Sequence, residues 1–324
     1  MTLTRLAELA DTSVGTVSKA FAGSREVSEA TRERIFKIAK EEGCFDKYYK
    51  APRERPMVAL LFPESESEHY GIQMGILERE LNRRGADTII AITRFDRERE
   101  ARLFRELAYM MKVDGVIVSG TAELISNPDE VPLVTITGKR GKLPGSDNVC
   151  VDMQGGIDEL VRTLKAYGHK SVGFIGEELT AAKEKMFRTA MRREGLSLHE
   201  RYIVRSSSRF GAAGEDSMKQ LIERGDIPSV IVAAYDQIAL GAMRYATAQG
   251  YKIPDDISFV GIDDITVTEY SGVPLSSIHI NLEGVCEKVI DLLFKRMDNR
   301  HYRGRTDIIV SATLNVRESL KKIL

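Results

Sequence analysis

Residues 3–23 read LTRLAELADTSVGTVSKAFAG. Leu3, Leu6, Leu9 and Ala10 recur at spacings of three and four, which predicts a short amphipathic helix that Thr2 can cap. Asp11-Thr12 breaks it, and Ser13 caps a second helix with Val14, Val17, Ala20 and Phe21 on its apolar side. Ala7 is small where the two helices would touch, Asp11 tolerates a tight turn, and Leu6, Thr12, Val17 and Ala20 anchor the pair. This spacing predicts a helix-turn-helix, whose second helix can put its N-terminal end into a DNA major groove. Ser13, Thr16 and Ser18 would then donate to phosphates, and Val14, Gly15 and Lys19 would point towards base edges. Taken alone, the same pattern also fits an ordinary helical hairpin.

Outward from this stretch, Ala22-Gly23-Ser24 ends the second helix. Ser28 caps a third, with Ile35, Ile38 and Ala39 running down to Gly43. A headpiece over 1–46 follows from these three helices. The stretch KYYKAPRERP (47–56) has two prolines and no apolar period, the composition of a linker or hinge. Beyond it the grammar changes. MVALLF (57–62), TIIAI (88–92), DGVIVSG (114–120), LVTIT (133–137), SVGFIG (171–176), SVIVAA (229–234) and ISFVGI (257–262) read as buried strands. Helical segments alternate with them: one through Ile72, Ile76 and Leu81, another through Leu103, Leu107 and Met110, then 181–195 and 237–249. Such alternation implies right-handed βαβ units and parallel sheets. So many strands suit two sheets, hence an α/β core over 57–324 with two lobes and a cleft at the strands' carboxyl ends. A late helix (284–297) and strand DIIV (307–310) would cross back. Lobe 1 is expected over about 57–156 and 288–312, lobe 2 over about 157–287 and the C-terminal end.

Composition narrows the function class. The 324 residues are 43% apolar and 29% charged, enough to bury a sizeable core. Cys44, Cys150 and Cys286 are widely spaced with no CxxC pair, which argues against a disulfide scaffold and fits a reducing cytoplasm. No apolar run approaches the ~18 residues of a membrane span, and an acid by residue 8 argues against a secretory signal. Residues 1–56 hold 11 Lys+Arg against 9 Asp+Glu, and the remainder 36 against 39. That asymmetry is too mild to suggest a nucleic-acid partner without the motif. Catalysis is not expected. His69, His169, His199, His279 and His301 are scattered, HExxH and paired Cys/His ligand spacings are absent, and so are GxxxxGK[ST] and GxSxG. Asp255-Asp256 and Asp263-Asp264 read as turn caps. No cofactor or metal is expected.

With these readings in place, the chain resembles the lactose-repressor (LacI/GalR) family of bacterial transcription regulators. The resemblance runs through LTRLAELADTSVGTVSKAFAG, VSEATRERI (27–35), EEG (41–43), LLFPE (60–64), VDMQGG (151–156) and YGHKSVGFIG (167–176). It continues through AYDQIALGAMRYATAQGYKIPDDISFVGIDDI (234–265) and VRES (316–319). It implies a DNA-binding headpiece, a hinge, and a two-lobed core like that of periplasmic sugar receptors. It also implies a homodimer on a pseudo-palindromic operator, and a small-molecule effector, a sugar or other metabolite, that controls operator affinity. A repressor is the expected role. The rivals are a solute receptor for transport or chemotaxis and a regulator controlled by a protein partner.

By position, the resemblance places base-reading residues at Val14, Gly15 and Lys19 and phosphate contacts at Ser13, Thr16, Ser18 and Thr31. Gly15 can make no side-chain contact, and Lys19 lacks the fork of the family's arginine, so a guanine contact there should be less selective. The hinge departs further: GCFDKYYKAPRERP has neither the family's Pro-Asn turn nor its leucine. Tyr48 or Tyr49 is the candidate apolar wedge for the minor groove, against the plainer reading of a surface tyrosine pair. In the cleft, the family's effector contacts fall on Lys183, four residues before Phe187, on Asp263 in GIDD, and on Tyr235-Asp236, where Tyr replaces Asn. Asp236 and Asp263 can equally be caps or turn residues. The charged pair ending the family's fourth strand falls on Thr137-Gly138. With Phe210 added, such a cleft suits a less polar or an anionic ligand.

Overall fold

The computed structural model describes residues 1–24, 26–49, 54–128, 131–137, 143–299 and 304–324. Gly138, His301 and linker positions 50–53, which figure in the sequence reading, lie outside the described residues. The chain divides into two units, residues 1–56 and 57–324.

In the first unit, α1 (Leu3–Leu9), α2 (Val14–Phe21) and α3 (Glu29–Glu41) are followed by one turn of helix, α4 (Phe45–Tyr48). Each of the three longer helices starts where a hydroxyl replaces a missing backbone partner. Thr2 accepts from the Arg5 N–H, Ser13 from Thr16 and Ser28 from Thr31. Asp11 makes the turn between α1 and α2 at φ 47°, in the left-handed region that Asp tolerates. Leu6, Ala10, Val17, Ala20, Ile35 and Ala39 are fully buried and form the core. Phe21, Phe36, Phe45, Tyr48 and Tyr49 close its lower end. Tyr49 stacks on Phe45 at 4.5 Å between centroids, and Tyr48 sits 5.7 Å from Phe21 while its hydroxyl donates to the Met1 carbonyl at 2.8 Å. Both rings thus pack on the headpiece's own aromatic cluster, Tyr48 on Phe21 and Tyr49 on Phe36 and Phe45.

The second unit runs β1 (Met57–Phe62), α5 (Glu68–Arg83), β2 (Asp87–Ile92), α6 (Arg97–Arg105), β3 (Gly115–Ser119), β4 (Leu133–Thr137), β5 (Asp147–Asp152) and α7 (Met153–Ala166). It continues through β6 (Val172–Glu177), α8 (Ala181–Arg193), β7 (Ile203–Ser206), α9 (Phe210–Glu223), β8 (Val230–Ala233) and α10 (Asp236–Ala248). After these come β9 (Ser258–Asp263), α11 (Val267–Tyr270), β10 (Ser276–Ile280), α12 (Leu282–Asp298) and β11 (Asp307–Asn315). The strand order is β2-β1-β3-β4-β5-β11-β10-β9-β8-β6-β7. All pairings among β1–β5 are parallel, as are those among β6–β10. β11 belongs to both halves: Asp307–Ser311 run parallel to β5, and Ala312–Asn315 run antiparallel to β10.

Burial explains the unbroken apolar runs. In β1, Val58, Leu60 and Phe62 face a core built with α5 and α12, while Ala59 and Leu61 face a second core built with α6. The other half packs around Phe174, Phe187 and Phe259. The expected division into lobes needs two corrections. Met153, at the start of α7, already packs in lobe 2, and Val285 and Cys286 already pack in lobe 1, so the chain crosses at Asp152–Met153 and near Asn281. Both shifts have one cause: a helix docks as a unit on the sheet its apolar stripe covers. The helix through Met110 also differs. After α6 the backbone widens into a π-turn over Glu106–Met110, and Met110 swings out to 75% exposure instead of facing the core.

β5, α7, β7, α9 and β10 are elements that the sequence reading did not name. β5 hides its strand character in buried polar residues. Asp147 is fully buried against Arg296, with Nε–Oδ2 at 2.7 Å, and Asn148 Oδ1 accepts from Thr135 and Thr137.

Candidate functional site

Two places carry chemistry. On the headpiece, the turn at Asp11 and the cap at Ser13 project the first turn of α2 outward. Val14 is 42% exposed, Gly15, Ser18 and Lys19 are exposed, and Thr16 is half-buried. Ser13 Oγ lies 2.9 Å from Thr16 Oγ1, and Ser28 Oγ lies 2.8 Å from Thr31 Oγ1. Two hydroxyl pairs therefore sit at the starts of α2 and α3, where backbone N–H groups and the helix dipole favour an anion. Lys19 reaches Glu26 with Nζ–Oε2 at 2.5 Å.

In the core, a cleft of about 460 Å³ opens at the carboxyl ends of the strands of both lobes. Lobe 1 supplies Glu64 after β1, His69, Tyr70 and Gln73 from α5, Phe95 after β2, and Thr137 ending β4. Lobe 2 supplies Glu177 ending β6, Lys183 from α8, Arg209 and Phe210 at the start of α9, Tyr235 after β8, and Asp263 ending β9. The apolar lining includes Ile136, Val151, Met153, Met186, Ile280 and Leu282.

Charge ties the lobes together across this space. Arg209 grips Glu64 of lobe 1 through both terminal nitrogens, at 2.5 and 3.0 Å, and its Nε meets Glu177 at 3.2 Å. The carboxylates are nearly sealed, at 7% and 4% side-chain exposure. The Arg209 guanidinium also lies over the Phe210 ring at 4.5 Å and the Phe95 ring at 5.9 Å. Hydrogen bonding to Glu64 raises the Arg209 pKa further above its ordinary value. Deeper in, Lys183 Nζ is 3.1 Å from Asp263 Oδ1, and His69 Nδ1 of lobe 1 is 3.8 Å from the same oxygen. Burial lowers the His69 pKa, opposed by Asp263 and reinforced by Lys183, and Nδ1 has no hydrogen-bond partner.

Backbone geometry sets these side chains. Phe210 takes φ 55°, which points its N–H at the Tyr235 hydroxyl, 3.0 Å away, and brings the two rings within 6.1 Å. Asp263 and Asp264 both have positive φ, at 103° and 54°. The kink sends their carboxylates opposite ways. Asp263 faces the cleft, whereas Asp264 accepts from Arg317 at 2.6 Å, Asn315 at 2.8 Å and His279 at 3.0 Å. Asp264 thereby fastens the turn to the end of β11.

Comparisons with known proteins agree with this arrangement. A profile described as "Bacterial regulatory proteins, lacI family" matches residues 2–43, and one described as "Periplasmic binding protein-like domain" matches 161–320. Over residues 2–43 the chain matches the LacI family. HTH-type transcriptional regulator DegA of Bacillus subtilis is 27% identical over 86% of this chain and 86% of its own length. HTH-type transcriptional repressor CytR of Escherichia coli is 25% identical over 99% and 97%. Among solved structures, a transcriptional regulator CelR–cellobiose complex aligns with TM-score 0.67 at 26% identity, covering 99% of this chain and all of that one. With that headpiece match and its likeness to HTH-type regulators over nearly its whole length, this chain is a DNA-binding transcription regulator.

Within the core, Lys183, Phe210, Tyr235 and Asp263 line one cleft. Asp236 does not, and this is a correction. It is 1% exposed, accepts from the Ile265 N–H at 2.9 Å and the Ser277 hydroxyl at 2.5 Å, and fixes the start of α10 to the β9–β10 region. Burial, reinforced by the Asp263 charge, raises its pKa well above the ordinary carboxylate value. Its neighbour Tyr235 is still extended, at φ −159°, so the two consecutive side chains point apart. Sequence reasoning missed Glu64, Glu177, Arg209, His69 and Tyr70. Glu64 was within reach, since it closes LLFPE at the end of a predicted strand. Among the described residues no group of three His, Cys, Asp or Glu could hold a metal, and no helix is long and apolar enough to cross a membrane.

Proposed function

We propose that the chain is a cytoplasmic repressor acting as a homodimer on a pseudo-palindromic operator. Its operator affinity follows a small neutral metabolite held between the lobes. In this reading Val14, Gly15 and Lys19 approach base edges, and Ser13, Thr16, Ser18 and Thr31 contact phosphates. Lys183, Asp263, Tyr235 and Phe210 hold the effector, together with Glu64, Arg209 and His69.

The observation that carries the effector reading is the charge pairing inside the cleft. Among the described residues each cation lining it already faces a carboxylate: Arg209 with Glu64 and Glu177, Lys183 with Asp263, and Arg97 with Glu123 at 2.6 Å. An anion would have to displace one of these carboxylates. A neutral hydroxylated ligand instead meets fixed donors and acceptors, with Tyr70, Phe95, Phe210 and Tyr235 for its apolar faces. The anionic alternative is therefore set aside. Because Arg209–Glu64 spans the two lobes, a ligand that rearranges it changes lobe closure. Closure is then linked to the paired headpieces by differential affinity.

The test has two stages. Duplexes bound by the purified chain are selected from a random pool, and the selected operator is titrated with neutral sugars, cellobiose first. A shift of operator affinity with one sugar, together with steep loss of affinity as salt rises, supports the reading. A salt-insensitive complex, or an affinity that no neutral metabolite alters while an organic anion does, overturns it.

A further inference from the structure

Lys19 is the one cation on α2, and it does not stand alone. The loop between α2 and α3 brings Glu26 to its ammonium, with Nζ–Oε2 at 2.5 Å. Both side chains are exposed, Lys19 to 55% and Glu26 to 69%, so the pair faces outward on the side that α2 presents. Ser24, two residues before Glu26, is pinned twice. The Ser24 N–H donates to the Lys19 carbonyl at 3.0 Å, and Arg32 Nη2 donates to the Ser24 carbonyl at 2.6 Å. Val27, directly after Glu26, is buried in the headpiece core. Glu26 thus lies between a pinned Ser24 and a buried Val27.

We infer that Lys19 and Glu26 read DNA as one unit, selecting a G·C pair with guanine on the lysine side. This rests on the DNA-binding reading above. A lone ammonium is an undiscriminating donor that any groove acceptor or phosphate satisfies. A carboxylate accepts only, and the major groove offers it donors at just two places, cytosine N4 and adenine N6. In a G·C pair the guanine O6 acceptor and the cytosine N4 donor are Watson–Crick partners, so they stand about 2.9 Å apart. The Lys19–Glu26 pair presents a donor and an acceptor at nearly that spacing. A T·A pair offers the same order of acceptor and donor, but its adenine N7 acceptor then falls on the glutamate side and repels it. In G·C the guanine N7 falls on the lysine side and adds to the attraction. C·G and A·T present the reverse order. The carboxylate restores the selectivity that replacing arginine by lysine removes.

Selection from a random duplex pool at fixed salt, with the full-length chain and two variants, tests this. The wild type is expected to show one position per half-site where G·C binds roughly 5- to 100-fold tighter than the other pairs. E26Q flattens that position to within about threefold, leaves the other positions as they were, and steepens the salt dependence by about one released ion per headpiece as Lys19 becomes free for phosphate. The reversed pair, K19E/E26K, turns the preference to C·G. If E26Q keeps the wild-type preference and salt slope, or the reversed pair still selects G·C, the paired reading is wrong while the regulator reading stands. If the wild type selects no sequence at all, the regulator reading fails and this one with it.

Discussion

The headpiece and the cleft do their work by opposite means. On the headpiece, the proposed contact groups are small, at least partly exposed and local: two hydroxyl pairs, a glycine and one Lys–Glu pair, all within residues 13–31. In the cleft they are large, mostly buried, and brought together from far along the chain, with Glu64 and Arg209 separated by 145 positions. Exposed pairs contribute little to stability and much to choice of partner. Buried pairs are expensive to break because each leaves an unmatched charge behind. Substitutions at the two places should therefore fail differently: those on the headpiece change what is bound, and those at the Arg209 bridge change whether the lobes hold.

The sharpest contrast comes from Arg209→Met. It strands the Glu64 and Glu177 carboxylates, and denaturant unfolding of the core should lose about 3 kcal/mol, with part regained in R209M/E64Q. Equal stability of R209M and wild type would mean that the bridge contributes nothing and the contrast is false. Tyr49→Ala comes next. Removing its stacking on Phe45 and its edge contact with Phe36 should cost the headpiece about 2 kcal/mol in thermal unfolding. A headpiece that melts unchanged while operator affinity falls would instead support the minor-groove wedge.

Lys183→Gln should weaken effector binding about tenfold by calorimetry, roughly the value of one charge-assisted hydrogen bond, without moving the unfolding midpoint by more than a few degrees. An unaffected affinity would place the ligand elsewhere in the cleft. The gentlest change is Asp236→Asn, which can still accept from Ile265 and donate to Ser277. The native state holds the Asp236 proton to higher pH than the unfolded chain does, so wild-type stability declines as pH rises from about 4 towards the raised native pKa. D236N lacks that decline. The two proteins should unfold alike near pH 4, with the variant more stable at pH 7. A variant less stable at pH 7 would show that the carboxylate is ionised and needed in the fold.

How much was legible follows the same divide. Caps at Thr2, Ser13 and Ser28, the turn at Asp11, and strands such as β1 and β3 declare themselves locally, through hydroxyls at helix starts and unbroken apolar runs. β5 did not, because Asp147 and Asn148 look like loop residues until Arg296 and Thr135 arrive from elsewhere. In the cleft, resemblance located Lys183, Tyr235 and Asp263, since their motifs survive around them. It misplaced Asp236 because adjacency in sequence says nothing about direction at the junction of strand and helix. Arg209 was invisible for a further reason: its role exists only when Glu64 and Glu177 face it from two different strand ends.

β11 carries one more consequence. A strand that belongs to two sheets has no spare length for either. Inserting a single residue between Ser311 and Ala312 would leave one ladder in register only by turning the other's inward side chains to the outside. The seam therefore ties the register of one half of the core to that of the other.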